Sequence, residues 1–348
     1  MSRTLLPLSL TAALLGGTAL AEVPRVAADI APVHSLVARV MDGIGPVDLI
    51  VAPGATPHEY SLRPSEATAL QEGDLVFWIG PDLAPWMENA IETLATDAAV
   101  TELMEAPGTI ELEIREGALF EAHEHDDDEH EEHADDEHDD DHAEDKHDDH
   151  GDSDEHAEDK HDDHAENDDG HDGHHHGSHD PHGWLSPQNA ATWLNVIAGQ
   201  LSAADPENAG AYFANAAAGR TELEALTTEI KTILDPVRGK RFIVFHDAYQ
   251  YFETTFDFAA SGAISVSDAS DPSPARIAEI RARIADEGID CVLAEPQFKA
   301  GLVTAVLDGT QAGTGVIDPL GSGLEPGPAF YPQLIRNLAS ALADCLRK

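Results

Sequence analysis

Histidine, a side chain often used to bind transition metals, is concentrated in one stretch of this sequence. Residues 121–180 hold 16 of the 20 histidines and 30 of the 67 acidic residues, with two lysines and no aromatic residue. Neutral imidazole is the commonest ligand for zinc, copper and nickel, so we expect the stretch to collect such ions in many weak sites. An acidic spacer would need only Asp and Glu, which would leave the histidines unexplained. The candidate ligands are His123, His125, His130, His133, His138, His142, His147, His150, His156, His161, His164, His171, His174, His175, His176 and His179.

The same stretch is not expected to fold. Sixty residues without an aromatic side chain or a run of large apolar side chains cannot bury enough surface to offset the entropy of ordering them. The run HAEDKHDDH occurs twice, at 142–150 and 156–164, a repeat too short and too polar for a solenoid. We therefore predict that residues 121–180 form a disordered, metal-binding loop.

Three histidines outside the loop lie where ligands gather in α/β folds. His246 ends the apolar run RFIVFH, His58 follows the run VDLIVAP, and His182 precedes a predicted helix. Asp318 and Glu295 end two further apolar runs. Because binding residues cluster at the carboxyl ends of strands, we expect a metal to lie in a cleft to which each half of the chain contributes. Each histidine alone is more often a structural residue, and the combination favours a metal site.

The ligand types indicate which metal fits. Three imidazoles and at most one carboxylate suit a four-coordinate Zn²⁺ site, whereas manganese prefers more oxygen ligands. Copper(II) would bind at least as tightly on intrinsic affinity, so a preference for zinc also depends on geometry and availability. Glu59 and Asp247 adjoin two of the histidines, and either orient the imidazoles or are ordinary surface carboxylates. For the fourth histidine outside the loop, His34, a role at a helix start or on the surface is favoured over a ligand role.

Short apolar strands alternate with helices through the rest of the chain. Ser186-Pro187 and Ser273-Pro274 each provide a capping hydroxyl and a proline for the first helical position, and Gly288 ends the second helix. This alternation predicts an α/β fold with parallel sheets and helices on both faces. The predicted strands are 47–53, 74–80, 241–246, 291–296 and 315–320, with 263–266 as a weaker candidate.

A long helical segment separates the two sets of strands. Residues 205–237 contain no interior helix breaker except Gly210 and Gly219, and a helix of this length spans about 45 Å. We predict that it is a rigid connector between an N-terminal lobe, residues 22–204, and a C-terminal lobe, residues 238–348. The alternative is two ordinary helices broken near Gly219.

The first residues have the pattern of an export signal. Arg3 is followed by an apolar stretch and a small-x-small ending, which predicts a signal peptide over 1–21. The cleavage point lacks the cysteine of a bacterial lipoprotein, so we expect a freely diffusing periplasmic protein. In an exported chain, the two cysteines, Cys291 and Cys345, suggest one disulfide, and two buried free thiols are the alternative. The formal net charge of −48 argues against a nucleic-acid partner.

Several stretches resemble a known family. ATPHEYSLRPSEA, HGWLSPQNA, FIVFHDAYQYFE, CVLAEPQF and DPLG are similar, in order and spacing, to zinc-specific periplasmic solute-binding proteins of ABC transporters, the ZnuA type. The resemblance covers 22–348, including the histidine-rich loop. It implies two Rossmann-like lobes with parallel sheets, joined by one long rigid helix, with the metal in the cleft between the lobes.

The resemblance also implies roles for particular residues. The family's three zinc histidines correspond to His58, His182 and His246, and its C-terminal-lobe disulfide corresponds to Cys291 and Cys345. Some relatives have a glutamate directly before the first histidine, where this chain has Pro57. Our first choice for a fourth ligand is Asp318, because the equivalent aspartate binds metal in manganese-binding relatives. Water or a loop histidine comes next.

These observations favour a monomeric transport receptor that captures Zn²⁺ and delivers it to the membrane permease of a zinc ABC transporter. A zinc-dependent hydrolase is the second hypothesis, with Glu59 or Glu295 as the general base. It is disfavoured because the sequence has no His-Glu-x-x-His helix and because hydrolysis does not explain the loop. A periplasmic zinc buffer without a permease is the third hypothesis.

Overall fold

Two four-stranded parallel sheets, each covered by helices, organise the chain in the computed structural model. The structure describes residues 23–115, 120, 179–265, 272–298 and 300–348. The predicted signal peptide and residues 121–178 of the predicted loop lie outside the described residues. Among the described helices, none is both long enough and apolar enough to cross a membrane.

The first sheet has the strand order β2-β1-β3-β4, and every pairing in it is parallel. Two of its strands confirm the predictions over 47–53 and 74–80, although both are shorter than predicted. No bounds were predicted for the other two strands. The strands are β1 (Val26–Ala28), β2 (Asp48–Leu49), β3 (Leu75–Trp78) and β4 (Ala99–Glu102), and the helices between them are α1 (Ala31–Val40), α2 (Pro64–Glu72) and α3 (Pro85–Leu94).

The second sheet has the strand order β6-β5-β7-β8 and is also parallel. All four strands were predicted, but the last begins and ends earlier than predicted, so Asp318 lies two residues beyond it rather than within it. The strands are β5 (Phe242–His246), β6 (Ala263–Ser265), β7 (Cys291–Ala294) and β8 (Gly313–Val316), and the helices are α6 (Gln250–Phe256), α7 (Pro274–Glu287), α8 (Ala300–Leu307) and α9 (Phe330–Leu346).

A pair of long helices connects the sheets. Helix α4 (Pro187–Ala204) leads into α5 (Ala209–Leu234), which continues as a 3-10 turn at Asp235–Val237. Helix α5 has 26 residues and is about 39 Å long. Gly219 does not break it, so the alternative of two helices is wrong. Instead, a Cβ at Gly219 would lie 2.9 Å from Leu194 Cδ1, which shows that this glycine allows α4 and α5 to approach closely.

The predicted helix signals act as expected. Ser186 Oγ accepts a hydrogen bond from Asn189 N at the start of α4, and Ser273 Oγ accepts one from Arg276 N at the start of α7, both at 3.2 Å. Gly288 ends α7 with a left-handed φ of 65°, a conformation that costs glycine little. The helix boundaries that these residues predicted are therefore confirmed.

The two lobes share one apolar core rather than meeting only at α5. A single cluster of buried side chains contains residues of both sheets and of helices α1, α4, α5 and α9. Polar contacts cross between the lobes at the same place. Trp184 Nε1 donates to Pro319 O at 2.9 Å, and Tyr331 Oη donates to Trp184 O at 2.8 Å. Wide separation of the lobes would therefore expose apolar surface and break buried hydrogen bonds.

One disulfide closes the C-terminal lobe. Cys291, the first residue of β7, is bonded to Cys345 near the end of α9, with the Cα atoms 5.9 Å apart. The predicted pairing is confirmed. Because β7 runs from Cys291 towards the cleft, the bond lies at the end of the strand opposite Glu295, which follows it.

Candidate metal centre

The three histidines expected to bind metal lie together in the cleft. His58 is on the loop after β2, His182 precedes a 3-10 turn at Gly183–Leu185, and His246 is the last residue of β5. The centroid of the His182 ring is 5.7 Å from that of His58 and 5.4 Å from that of His246. Three imidazoles bound to one tetrahedral zinc at about 2.0–2.1 Å place their ring centroids about 5 Å apart. The rings therefore have nearly the spacing that a zinc site requires.

The His182 imidazole is held by a buried carboxylate. Asp180 Oδ1 lies 2.6 Å from His182 Nδ1 and also accepts a hydrogen bond from the His182 backbone N at 2.9 Å. Both residues are buried. This contact favours a proton on Nδ1 and keeps Nε2 available as a metal ligand, an arrangement that is common around bound metals.

The His246 imidazole is held in the same way from the other lobe. Glu295 Oε1 lies 2.7 Å from His246 Nδ1. Glu295 directly follows β7, which pairs with β5, so the carboxyl ends of neighbouring parallel strands bring the two side chains together. Burial raises the pKa of the nearby Tyr249 hydroxyl well above its usual value, and the charges of Glu295 and Asp318 add to that shift. Tyr249 is therefore neutral beside the site.

A small cavity lies between the rings. It has a volume of about 20 Å³ and is lined by all three imidazoles and by Glu295, with Trp184 and Phe298 among its apolar walls. A volume of about 10–15 Å³ is sufficient for one water-sized particle, so this cavity can hold a single ion and little else. Apolar walls around the imidazoles lower the local dielectric and strengthen the interaction between an ion and its ligands.

The donor atoms do not yet form a complete coordination shell. Among residues 23–115, 179–265, 272–298 and 300–348, no group of three or more His, Cys, Asp or Glu side chains is placed to hold an ion as it stands. The ring spacing and the Nδ1 contacts still favour a metal site, because side-chain rotation about the Cα–Cβ bond moves a ring nitrogen without moving the backbone. His58 lies on a half-buried loop.

Asp318, our first choice for the fourth ligand, is engaged elsewhere. Its two oxygens accept five hydrogen bonds at 2.6–3.1 Å. It is not among the residues that line the cavity. Its carboxylate instead caps the turn after β8. Asp318 can take this role because it lies two residues beyond the end of the strand. The donors are Gln297 Nε2, Leu320 N, Gly321 N, Ser322 N and Ser322 Oγ.

Glu59 and Asp247, which adjoin two of the histidines in sequence, are not the carboxylates that contact the imidazoles. Glu59 is exposed on its loop. Asp247 binds the Arg115 guanidinium, whose Nε lies 3.0 and 3.1 Å from its two oxygens. Burial raises the pKa of Asp247, and Arg115 opposes that shift. The orienting positions are taken by Asp180 and Glu295.

His34 and His179 have structural surroundings. His34 is the fourth residue of α1, is buried, and has Nε2 3.1 Å from Val47 O, so it lies at a helix start, one of the two expected positions, and not on the surface. His179 was expected in the disordered loop, but it forms an antiparallel bridge with Glu113, and Asp180 N donates to Leu112 O at 2.8 Å. The prediction of disorder is wrong for these last two residues of the loop, His179 and Asp180. The other fifteen candidate loop histidines lie outside the described residues.

Asp180 was missed as a site residue because its neighbours in sequence hide it. It ends a stretch of sixty residues rich in Asp, Glu and His, in which a single functional carboxylate has no distinguishing signal. The spacing Asp-x-His to a predicted ligand was the available indication. Glu295 was noted at the end of its strand, but its contact with His246 required the strand order.

Comparisons with known proteins agree with this geometry. The chain matches the family described as zinc-uptake complex component A, periplasmic (ZnuA), over residues 26–345. It is 44% identical over 333 residues to the high-affinity zinc uptake system protein ZnuA of Brucella suis, covering 96% of this chain and 95% of that protein. It is also 44% identical over 339 residues to the protein of the same name from Paracoccus denitrificans, covering 96% of each.

The fold is shared with a solved structure. A crystal structure of ZnuA superposes with a TM-score of 0.66 at 20% identity, covering 93% of this chain and 100% of that one. At this identity the match supports the two-lobed fold alone, while the family match and the sequence relatives extend over nearly the whole chain. The chain therefore belongs to the ZnuA family, the periplasmic component A of zinc-uptake complexes.

Proposed function

We propose that this protein captures Zn²⁺ in the periplasm with His58, His182 and His246 and delivers it to the permease of an ABC transporter for import. The observation that carries the proposal is the pair of imidazoles, one from each lobe, whose Nδ1 atoms contact Asp180 and Glu295 at 2.6 and 2.7 Å. Both rings line the same small cavity. The relatives named as high-affinity zinc uptake proteins support the same function.

Zinc is the cargo that the donor set fits best. Three neutral nitrogens suit tetrahedral Zn²⁺ and leave one position for a fourth ligand. We propose water rather than Asp318 as the fourth ligand, with a histidine of the loop as the alternative. Manganese would require more oxygen donors than the cavity offers.

The organisation of the chain supports a proposal for its export and its lobes. We propose that residues 1–21 are removed on export, leaving a soluble, monomeric periplasmic receptor with an N-terminal lobe over 22–204, a linker helix over 205–237 and a C-terminal lobe over 238–348. We propose that the histidine-rich loop collects zinc and passes it to the site formed by His58, His182 and His246. The strong negative charge of the chain adds to that effect by attracting cations.

A hydrolase at the same cleft is disfavoured by the occupied carboxylates. A general base must reach a water on the metal, yet Asp180 and Glu295 both contact imidazole Nδ1 atoms. Glu59, the other nominal base, is exposed. We therefore propose a binding protein that is not an enzyme.

The proposal is tested by zinc competition against a chromophoric chelator with His246→Ala. The expected result is a loss of zinc affinity by two or more orders of magnitude, because one of three protein ligands is removed. His34→Gln is the matched control, since His34 is buried in α1 and does not line the cavity between the imidazoles. Deletion of 121–178 is expected to lower the number of zinc ions bound while leaving one tight site. Tight binding that survives His246→Ala would contradict the proposed site.

A further inference from the structure

One arginine joins two acidic side chains of the C-terminal lobe beside the cleft. Arg115 Nε lies 3.1 and 3.0 Å from the two oxygens of Asp247, and Nη1 lies 2.8 Å from Glu253 Oε2. Nη2 contacts both carboxylates. The ring of Phe120 covers the guanidinium, with the ring centroid 3.5 Å from Cζ. Asp247 and Glu253 are 8% and 4% exposed, so this is a buried cluster rather than a surface ion pair.

The cluster lies on the segment that carries the His182 side of the site. Arg115 ends the segment 110–115, which follows β4 and runs across α6. On this segment Leu112 N donates to Tyr251 Oη at 3.0 Å, and Tyr251 Oη donates to Asp180 O at 2.9 Å. Asp180 in turn holds His182. The N-terminal half of the metal site is therefore fastened to α6 of the other lobe.

The other end of the cluster adjoins the His246 side of the site. Asp247 directly follows His246, and Glu253 lies in α6 and also accepts a hydrogen bond from Ala260 N at 3.1 Å. The planar guanidinium of Arg115 links Asp247, the residue after His246, to segment 110–115, which positions His182. The centroids of the His182 and His246 rings, on the two sides of this contact, are 5.4 Å apart.

We propose that Arg115 is a positioning residue for the metal site. By holding Asp247 and Glu253 against segment 110–115, it sets the distance between the imidazoles that the two lobes contribute. This inference rests on the proposed zinc-binding function. It assigns Arg115 no contact with the ion.

Arg115→Lys separates positioning from charge. Lysine keeps the positive charge next to two buried carboxylates, but a single ammonium cannot bridge both with a planar fork. Arg115→Gln removes the charge, which on electrostatic grounds alone would leave two carboxylates near the cleft and strengthen cation binding. If Arg115 acts only through its charge, Arg115→Lys should bind zinc as the unaltered chain does, and Arg115→Gln should bind it more tightly.

The experiment measures zinc affinity, zinc dissociation and the absorption spectrum of bound Co²⁺ in the full chain. For Arg115→Lys we expect an affinity about tenfold lower, mainly through faster dissociation, and a changed Co²⁺ spectrum because the ligand geometry is altered. Arg336→Lys is the matched control, since Arg336 pairs with the exposed Glu229 between α9 and α5. It should leave all three quantities unchanged.

Two results would overturn the inference. The first is an Arg115→Lys protein that is folded by circular dichroism and binds zinc and Co²⁺ as the unaltered chain does. The second is tighter zinc binding by Arg115→Gln together with unchanged binding by Arg115→Lys, which would show that charge alone matters. If the unaltered chain itself has no tight site, or if His182→Ala leaves that site intact, then the proposed function has failed and not the role of Arg115 alone.

Discussion

At the scale of single residues, two carboxylates hold imidazoles of the proposed metal site. Asp180 and Glu295 each contact an imidazole Nδ1, so they fix the tautomer and the direction of Nε2. The two contacts come from opposite lobes and have nearly the same length. The site is therefore built from two similar histidine–carboxylate pairs, with His58 added from a loop.

Replacing either carboxylate by its amide should weaken zinc binding without unfolding the protein. For Asp180→Asn and Glu295→Gln we expect a loss of about 10–100-fold in affinity, because a neutral partner makes the imidazole a weaker ligand and orients it less firmly. Chelator competition at fixed pH measures the loss. Glu229→Gln, on the exposed face of α5, is the control. Affinity unchanged in both cleft variants would show that the Nδ1 contacts have no part in binding.

The sequence identified the three imidazoles but not their surroundings. His58, His182 and His246 stand out because they follow or precede apolar strands and helix caps. Asp180 could not be distinguished from the acidic residues before it. The engagement of Asp318 in a turn could not be foreseen either, because it depends on backbone N–H groups up to four residues ahead that only the folded chain brings together.

At the scale of elements, the close contact of α4 with α5 depends on a glycine. Gly219 faces Leu194, and a Cβ there would come within 2.9 Å of the leucine. By contrast, a Cβ added at Gly199 in α4 would have no neighbouring heavy atom within 4 Å. Two helical glycines therefore have opposite roles, one required by packing and one not.

Substitution of these two glycines should change stability in opposite directions. Gly219→Leu is expected to lower the free energy of unfolding by about 1–3 kcal/mol, because the larger side chain forces α4 and α5 apart. Gly199→Ala should raise it by about 0.5–1 kcal/mol, since alanine loses less backbone entropy in a helix. Denaturant unfolding followed by circular dichroism measures both. A Gly219→Leu protein as stable as the unaltered chain would mean that the helices do not need the close approach.

The sequence patterns predicted most elements and misplaced the exposed ones. Strands that are buried, such as β3, β5 and β7, were predicted because their apolar runs are continuous. Strand β4 was not delimited, because two of its four residues are exposed and the other two are Thr101 and Glu102. Strand β8, with the sequence GTGV, was placed too late since the apolar residues follow the glycines.

At the scale of the whole molecule, the connector prediction was correct but incomplete. The length of α5 indicated a rigid link between lobes, and the structure has one. What the pattern could not reveal is that α1, α4 and α9 also pack into one core shared by both sheets. Side chains far apart in sequence, such as Trp184 and Tyr331, make that contact, and no local periodicity encodes it.

The disulfide should contribute to stability without affecting the metal site. Its bond closes a loop over a sequence separation of 54, so reducing it is expected to lower the free energy of unfolding by about 4 kcal/mol. Zinc affinity should not change, since Cys291 and Glu295 lie at opposite ends of β7. Guanidinium unfolding and zinc titration, each with and without reductant, measure the two quantities. The double variant Cys291→Ala with Cys345→Ala should have the stability and the zinc affinity of the reduced protein. A loss of zinc affinity on reduction or in this variant would contradict the separation of the disulfide from the metal site.

The antiparallel bridge between Glu113 and His179 has a consequence for how such chains can diverge. The two residues are neighbours in space although 66 positions separate them in sequence. Doubling the length of a flexible excursion costs only about 0.6 kcal/mol in closure entropy. Doubling the number of residues between Glu113 and His179 should therefore change the free energy of unfolding by less than about 1 kcal/mol.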